Sequence, residues 1–336
     1  MDSLTQIVLG AAVGEAVLGK KVGNRAMLWG AIAGTIPDLD VFLRYFVDDI
    51  TSTEMHRGFS HSIVFAVLMA PILGWIASRI HKKRKEATLK NWCWLFFWAI
   101  VTHPLLDAHT TWGTQFFWPF EYRLAYKNIF VIDPLYTLPF LILLIIAMFH
   151  KRTNPRRRIF NNAGLIVSTS YMLLTLIFKW ISFGEFQESL DANHIEYVEM
   201  DLKPTPLNSV LWNAQVETKT GYRVAYYSLF DSKDIEFSHE FPKNHHLLDP
   251  YKDQNVVQQL IKMSSGWYFI EKESDKLIFY DMRFGQVGMD QDDSKFMWKY
   301  DLTVNSDGKV EVERGRPDVS NVSQMFDELL KRIKGN

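Results

Sequence analysis

The stretch Met-His-Arg-Gly-Phe-Ser-His-Ser, residues 55–62, sets two imidazoles and a guanidinium (His56, His61 and Arg57) directly before a long apolar run. Two more polar groups stand at the edges of apolar runs. Asp38 and Asp40 close one run in Pro-Asp-Leu-Asp, and His103 and Asp107 lie near the end of another in His-Pro-Leu-Leu-Asp. A spacing of i, i+4 puts His103 and Asp107 on one face of a helix. Pro104 sits in the first turn of that helix or kinks it. Carboxylates at i, i+2, as in Asp38 and Asp40, suit a turn that swings one or both toward an ion. Three imidazoles and up to three carboxylates make an N/O donor set that Zn²⁺, Mn²⁺ or Fe²⁺ accepts, as one ion or two. Taken singly, each of these residues is more often a helix cap or one half of a surface pair, and Arg57 alone would snorkel to lipid phosphates. Their convergence is what raises them above that baseline. Glu15, inside the small-residue run Gly-Ala-Ala-Val-Gly-Glu-Ala-Val-Leu-Gly, is costly at membrane depth. It either joins the polar site, as a candidate catalytic residue with Asp40 and Arg57, or pairs with a basic group.

Convergence has to come from the elements that carry these residues. The chain has 336 residues and a net charge of −1, and its mean hydropathy is near zero. That average conceals two unlike parts. Residues 1–183 are a series of apolar runs, and residues 184–336 are rich in Asp, Glu, Lys and Asn. The expected fold is therefore a mainly α membrane domain of about five to six apolar helices in a bundle, followed by a small soluble α+β domain. The runs Ser62–Ile80, Ile129–Phe149 and Ile159–Phe183 are long enough for a ~30 Å hydrocarbon core. The runs Leu4–Leu18 and Ala26–Ile36 are shorter and rich in Gly and Ala, which lets helices approach closely. Met1-Asp2-Ser3 lacks a positive leader, so the first apolar run is expected to stay in the protein.

The loops 81–90 and 150–158 are short and strongly basic, which places them in the cytoplasm. His81 and His150 belong to these loops. The same rule puts the three His/Asp clusters, and residues 184–336 with them, on the opposite face of an inner or plasma membrane. In the polar part, the segments 222–230 and 267–284 read as strands, the second as a hairpin. Val322, Met325, Phe326, Leu329, Leu330 and Ile333 share one face of a terminal helix. His194, His239, His245 and His246 fall in this part and read as solvated. No basic excess or nucleic-acid motif is present, and the single Cys93 excludes an intrachain disulfide.

Pro-Asp-Leu-Asp, His-Arg-Gly-Phe-Ser-His-Ser and Thr-His-Pro-Leu-Leu-Asp-Ala-His-Thr-Thr-Trp-Gly, in this order between apolar runs, resemble the YdjM-like family of membrane-bound metal-dependent hydrolases over residues 1–125. There is a more distant similarity to zinc-dependent phospholipase C enzymes. The resemblance implies a divalent metal, most readily Zn²⁺, at Asp38, Asp40, His56, His61, His103 and Asp107. Arg57 and the turn His109-Thr110-Thr111 would border it. Relatives with a Thr-His pair near the N-terminus match Thr5-Gln6 here, so a ligand from that position is missing. The expected activity is hydrolysis of an ester or phosphoester in a lipid or amphiphilic substrate at the outer membrane face, by metal-activated water. The alternative is a membrane metal-binding or transport protein without hydrolysis. Ligands near one face and no internal repeat speak against transport.

Overall fold

The computed structural model describes the chain except residues 85, 275, 294 and 316–320. It divides into two compact units, Met1–Leu176 with Pro206–Asn208, and Ile177–Thr205 with Ser209–Asn336.

In the first unit, α1 (Ser3–Gly14) starts at Asp2, whose carboxylate accepts from Thr5 N at 3.1 Å. It runs through a π turn (Glu15–Gly19) into the one-turn α2 (Lys20–Val22). Gly23, at φ +63°, supplies the left-handed residue that reverses the chain into α3 (Asn24–Thr35). α1 and α3 then cross backbone to backbone. A Cβ on Gly14 would lie 2.2 Å from Ala26 O, and one on Gly30 would lie 2.1 Å from Gly10 O. This is the close approach that the Gly/Ala-rich runs imply. Pro37 has no N–H to continue the helical ladder. The chain bends by 42° there into a 3₁₀ segment, Pro37–Tyr45.

The helices that follow are α4 (Asp49–Met55), α5 (Ile63–Ile80), α6 (Leu89–Asp107), α7 (Pro134–Phe149) and α8 (Pro155–Ala192), the last running on past Leu176 into the residues of the second unit. α5 buries Ala66, Ala70, Gly74 and Ala77, and a Cβ on Gly74 would meet Cys93 Sγ of α6 at 2.7 Å. α6 is the centre of the unit, with Trp92, Leu95, Phe96, Ala99 and Ile100 buried in one core with Val8, Ala12, Ala26 and Ala33. The outside is apolar as well: Leu28, Leu68, Ile72, Trp75, Ile142 and Ile166 are all exposed. So large an apolar surface is favourable against lipid and not against water.

Among the described residues, α5 and α8 are long and apolar enough to cross a membrane, and α3 with Pro37–Tyr45 makes a third if the bent pair is one span. α7 has 16 residues, about 24 Å at the helical rise, and α1 has 12 but runs on without a break through the π turn and α2 to Val22. α7 begins at Pro134, capped by Asp133, and not at Ile129. α6 carries Lys90, Asn91, His103 and Asp107 within its 19 residues. The boundary expected at 183/184 falls inside α8, which continues unbroken to Ala192.

The second unit holds two antiparallel four-stranded sheets. The first is β1 (Glu199–Pro204), β2 (Leu211–Glu217), β3 (Gly221–Ser228) and β4 (Phe241–Pro242), and the second is β5 (Tyr268–Glu273), β6 (Lys276–Gln286), β7 (Phe296–Val304) and β8 (Val310–Gly315). The anticipated hairpin is β5–β6, in the register Phe269↔Tyr280; residue 275, at its turn, lies outside the described residues. Phe269, Tyr280 and Phe296 form the core over which this sheet closes. α9 (Asn255–Ser264) and α10 (Val322–Ile333) accompany the sheets. α10 forms where its spacing predicts, but it buries only part of the expected face: Leu329 is buried, whereas Val322, Phe326 and Leu330 are exposed.

Candidate metal centre

Two breaks in helical structure and one helix end build the centre. The Pro37 bend carries Asp38. A 3₁₀ turn, Phe59–His61, carries His61 just before Ser62, whose hydroxyl caps α5 by accepting from Phe65 N at 3.1 Å. The last turn of α6 carries His103 and Asp107 at i, i+4. Asp38, His61, His103 and Asp107 each offer a donor atom, and these atoms lie within 4.8 Å of one another. His61, His103 and Asp107 are fully enclosed, and the Asp38 side chain is 28% exposed.

Hydrogen bonds decide which imidazole nitrogen faces inward. His103 Nδ1 lies 2.6 Å from Gly34 O, which only accepts, so Nδ1 carries the proton and Nε2 a lone pair. Ser60 Oγ donates to Asp40 Oδ2 at 2.6 Å, so its oxygen accepts from His61 Nδ1 at 2.9 Å. In the neutral ring that leaves a lone pair on His61 Nε2 too. The two Nε2 atoms are 3.1 Å apart, and neither has a proton to give the other. Asp38 Oδ1 stands 3.4 Å from both, and Asp107 Oδ2 stands 3.5 and 3.6 Å from them. Four electron-rich atoms within 4.8 Å of one another repel unless a cation joins them. A tetrahedron with metal–ligand bonds of ~2.0–2.1 Å has edges of about 3.3–3.4 Å, close to these separations. Asp107 Oδ2 is also a buried oxygen without a hydrogen-bond partner. The residues present fit a divalent ion.

The surroundings hold this set in place, as outer ligands do around metals. Asp107 Oδ1 accepts from Gln6 Nε2 at 2.9 Å and from Met1 N, which turns Oδ2 toward the imidazoles. Arg57 Nε lies 3.1 Å from Asp107 Oδ2 without hydrogen-bond alignment, and its Nη1 donates to Thr110 Oγ1 at 2.8 Å. Thr110 Oγ1 in turn donates to Asp107 O at 2.7 Å. Arg57 is a buried non-glycine residue at φ +61°. Its N donates to Asp40 Oδ2 at 3.0 Å and its carbonyl accepts from Gln115 N at 3.0 Å.

Of the residues singled out in the sequence, the structure gathers Asp38, His61, His103 and Asp107, and sets Arg57 against them. It does not bring Asp40 and His56 into the donor group. Asp40 Oδ1 is engaged by His56 Nδ1 at 2.7 Å, and its Oδ2 by Ser60 and Arg57 N, so this carboxylate is spent on orienting neighbours. Glu15 is elsewhere. The π turn folds it over Gly19, and both its oxygens accept from Arg157 at 2.6 Å in a buried pair. Of its two alternatives, the basic partner is the one observed. Gln6 and Ser60 carry no signal as ligands; only Gln6, by occupying the position of the missing ligand, was marked at all. Gly34 contributes a carbonyl, which no sequence pattern announces.

Apolar helices with a buried His/Asp cluster define an integral membrane protein with a candidate metal centre. The chain belongs to the YdjM family: the family described as YdjM inner membrane protein matches residues 1–186. Inner membrane protein YbcI of Escherichia coli (strain K12) is similar to it, with 31% identity over 121 residues, 35% of this chain and 67% of that protein. No solved structure matches the chain.

Proposed function

We propose that the protein is a membrane-bound metal-dependent hydrolase that cleaves an ester or phosphoester of a lipid or other amphiphile at the outer face of the membrane. The observation that carries this reading is the pair of facing lone pairs, His61 Nε2 and His103 Nε2, set among two carboxylate oxygens. A bound Zn²⁺ supplies Lewis acidity there and lowers the pKa of its water from ~15.7 to ~7. The chain's own residues do the rest. Asp38 is the only partly exposed member of the four, so water and substrate approach past it. Arg57 keeps a guanidinium beside Asp107, where it donates charge-assisted hydrogen bonds to a phosphoryl oxygen or a developing oxyanion. Its left-handed backbone costs on the order of 1–3 kcal/mol, which the bonds from Asp40 and Gln115 offset. Asp40 positions His61 through Ser60 and does not itself touch the reacting atoms.

An amphiphilic substrate is supported by what flanks these residues. Phe42, Tyr45, Phe46, Phe59 and Trp118 are exposed on the segments that carry or border Asp38 and His61. Phe59 packs edge-on against Trp118, with ring centroids 4.9 Å apart. Aromatic side chains of this kind concentrate at headgroup depth.

One observation favours the second reading, metal binding without hydrolysis. Four protein donors already fill a tetrahedron, and closed sites are usually structural. The test takes both in turn. Elemental analysis of detergent-purified protein should find a divalent metal that is lost in His61→Ala and Asp107→Ala. Hydrolysis of phospholipids and of bis-(p-nitrophenyl) phosphate is then followed in wild type and Arg57→Met. Metal retained with hydrolysis lost in Arg57→Met supports the enzyme. Metal with no hydrolysis of any ester would leave the binding reading, and no metal after reconstitution would remove both.

A further inference from the structure

The first unit has a second recess, at the other end of α6 from His103 and Asp107. Val17, from the π turn, and Asn91, Trp94 and Trp98, from the first turns of α6, line a groove of about 330 Å³. Asn91 and Asp107 are separated by sixteen residues of α6, about 24 Å along the helix, and none of the groove's lining residues is a member of the metal centre. Its floor is rigid and apolar. Trp94 and Trp98 stack with centroids 6.3 Å apart and planes 19° from parallel, and each is nearly half exposed.

The rim carries a charge that its neighbours leave uncompensated. Lys21 Nζ donates to Asn91 Oδ1 at 2.7 Å. Asn91 Oδ1 also accepts from Thr88 N at 3.2 Å, in the box that caps α6, so the amide cannot turn away. Two nearby guanidiniums, those of Arg25 and Arg152, both pair with Glu86. Lys21, among the described residues, has this neutral amide and no carboxylate. An ammonium is thus fixed at one end of an aromatic slot, on the basic side of the bundle, with Lys20 and Lys90 exposed close by in the chain. The lipid leaflet at the basic side of a membrane protein is anionic, and basic recesses there take anionic headgroups.

We infer that this groove seats one anionic phospholipid of the cytoplasmic leaflet, its phosphate on Lys21 and an acyl chain along Trp94 and Trp98. A zwitterionic lipid gains less, because its headgroup cation is brought toward the Lys21 ammonium. Occupancy would fasten the start of α6 to the π turn without entering the centre at the far end of the helix.

The test uses the full chain in detergent with dioleoyl phosphatidylglycerol or dioleoyl phosphatidylcholine, followed by native mass spectrometry. Wild type should retain phosphatidylglycerol over phosphatidylcholine. Lys21→Gln should weaken phosphatidylglycerol binding about fivefold and leave phosphatidylcholine unchanged. A second variant that keeps an aromatic ring at both positions, Trp94→Phe with Trp98→Phe, guards against loss of fold. Phosphatidylglycerol brominated in its acyl chains should quench wild-type tryptophan emission, and the quenchable fraction should fall in the double variant. Equal retention of the two lipids, an unchanged affinity in Lys21→Gln, or an unchanged quenchable fraction would each overturn the assignment.

Discussion

At the scale of single residues, the centre rests on which nitrogen of each imidazole is turned inward. Gly34 O and Ser60 Oγ take the Nδ1 protons of His103 and His61, and the inward lone pairs follow. Removing a donor should therefore empty the site without unfolding the chain: His103→Ala should lose most bound metal while the protein still inserts, as read by elemental analysis of the purified membrane protein. Removing an orienting group should act more weakly. Asp40→Asn and Gln6→Leu should reduce metal affinity about 10–100-fold, measured by competition with a chelator of known affinity. Wild-type affinity in both variants would mean that Asp40 and Gln6 are bystanders. The sequence distinguished the chemistry of these residues but not their order around an ion. Asp38 and Asp40 look alike in Pro-Asp-Leu-Asp, and so do His56 and His61. Only the positions of Ser60, Arg57 N and Gly34 O separate donors from the groups that hold them.

At the scale of elements, the positions of Asp38 and Asp107 depend on how α1 meets α3 and α6. Gly10, Gly14, Gly30 and Gly34 allow α1 and α3 to touch along their backbones. A side chain at Gly14 drives into Ala26 O, so Gly14→Val should destabilise the protein by about 1–3 kcal/mol or more, seen as a lowered thermal midpoint. α1 is fastened a second time by the buried Glu15–Arg157 pair. Leaving one charge of such a pair alone costs roughly 3–5 kcal/mol, whereas replacing both with apolar groups costs much less. Arg157→Met should thus be more destabilising than the double variant Glu15→Met/Arg157→Met, and equal losses would remove the pair from this role. The small-residue runs were legible as close-packing helices. The π turn at Glu15 was not, because Leu4–Leu18 reads as one apolar run and a local change of winding has no composition of its own.

At the scale of the whole molecule, basic loops and acidic clusters lie at opposite ends of the first unit's sequence elements, and the YdjM family assignment is that of an inner membrane protein. If the loops face the cytoplasm, a membrane-impermeant maleimide applied to intact cells should label Phe120→Cys and not Lys83→Cys, both in a Cys93→Ser background. Labelling in the reverse pattern would invert the topology and move the proposed hydrolase to the inner face. Metal should also be worth stability to the folded chain, since an ion bound only by the folded state stabilises it by mass action. Prolonged chelation should lower the thermal midpoint of wild type and leave that of His103→Ala unchanged.

The amino-acid sequence alone carried the division into an apolar and a polar part, the helix face shared by His103 and Asp107, the β5–β6 hairpin, and the His and Asp residues from which the cluster is drawn. These are properties of composition and of short spacings, and helical or strand geometry converts them directly into local structure. The tertiary structure decided the rest. It brought Asp38, His61, His103 and Asp107 together, set Arg57 against Asp107, and sent Glu15 to Arg157. The reason is physical: an oxygen or nitrogen becomes a ligand only when its other hydrogen-bonding capacity is taken up elsewhere, and here those partners, Gly34, Ser60 and Gln6, come from chain segments far apart in sequence.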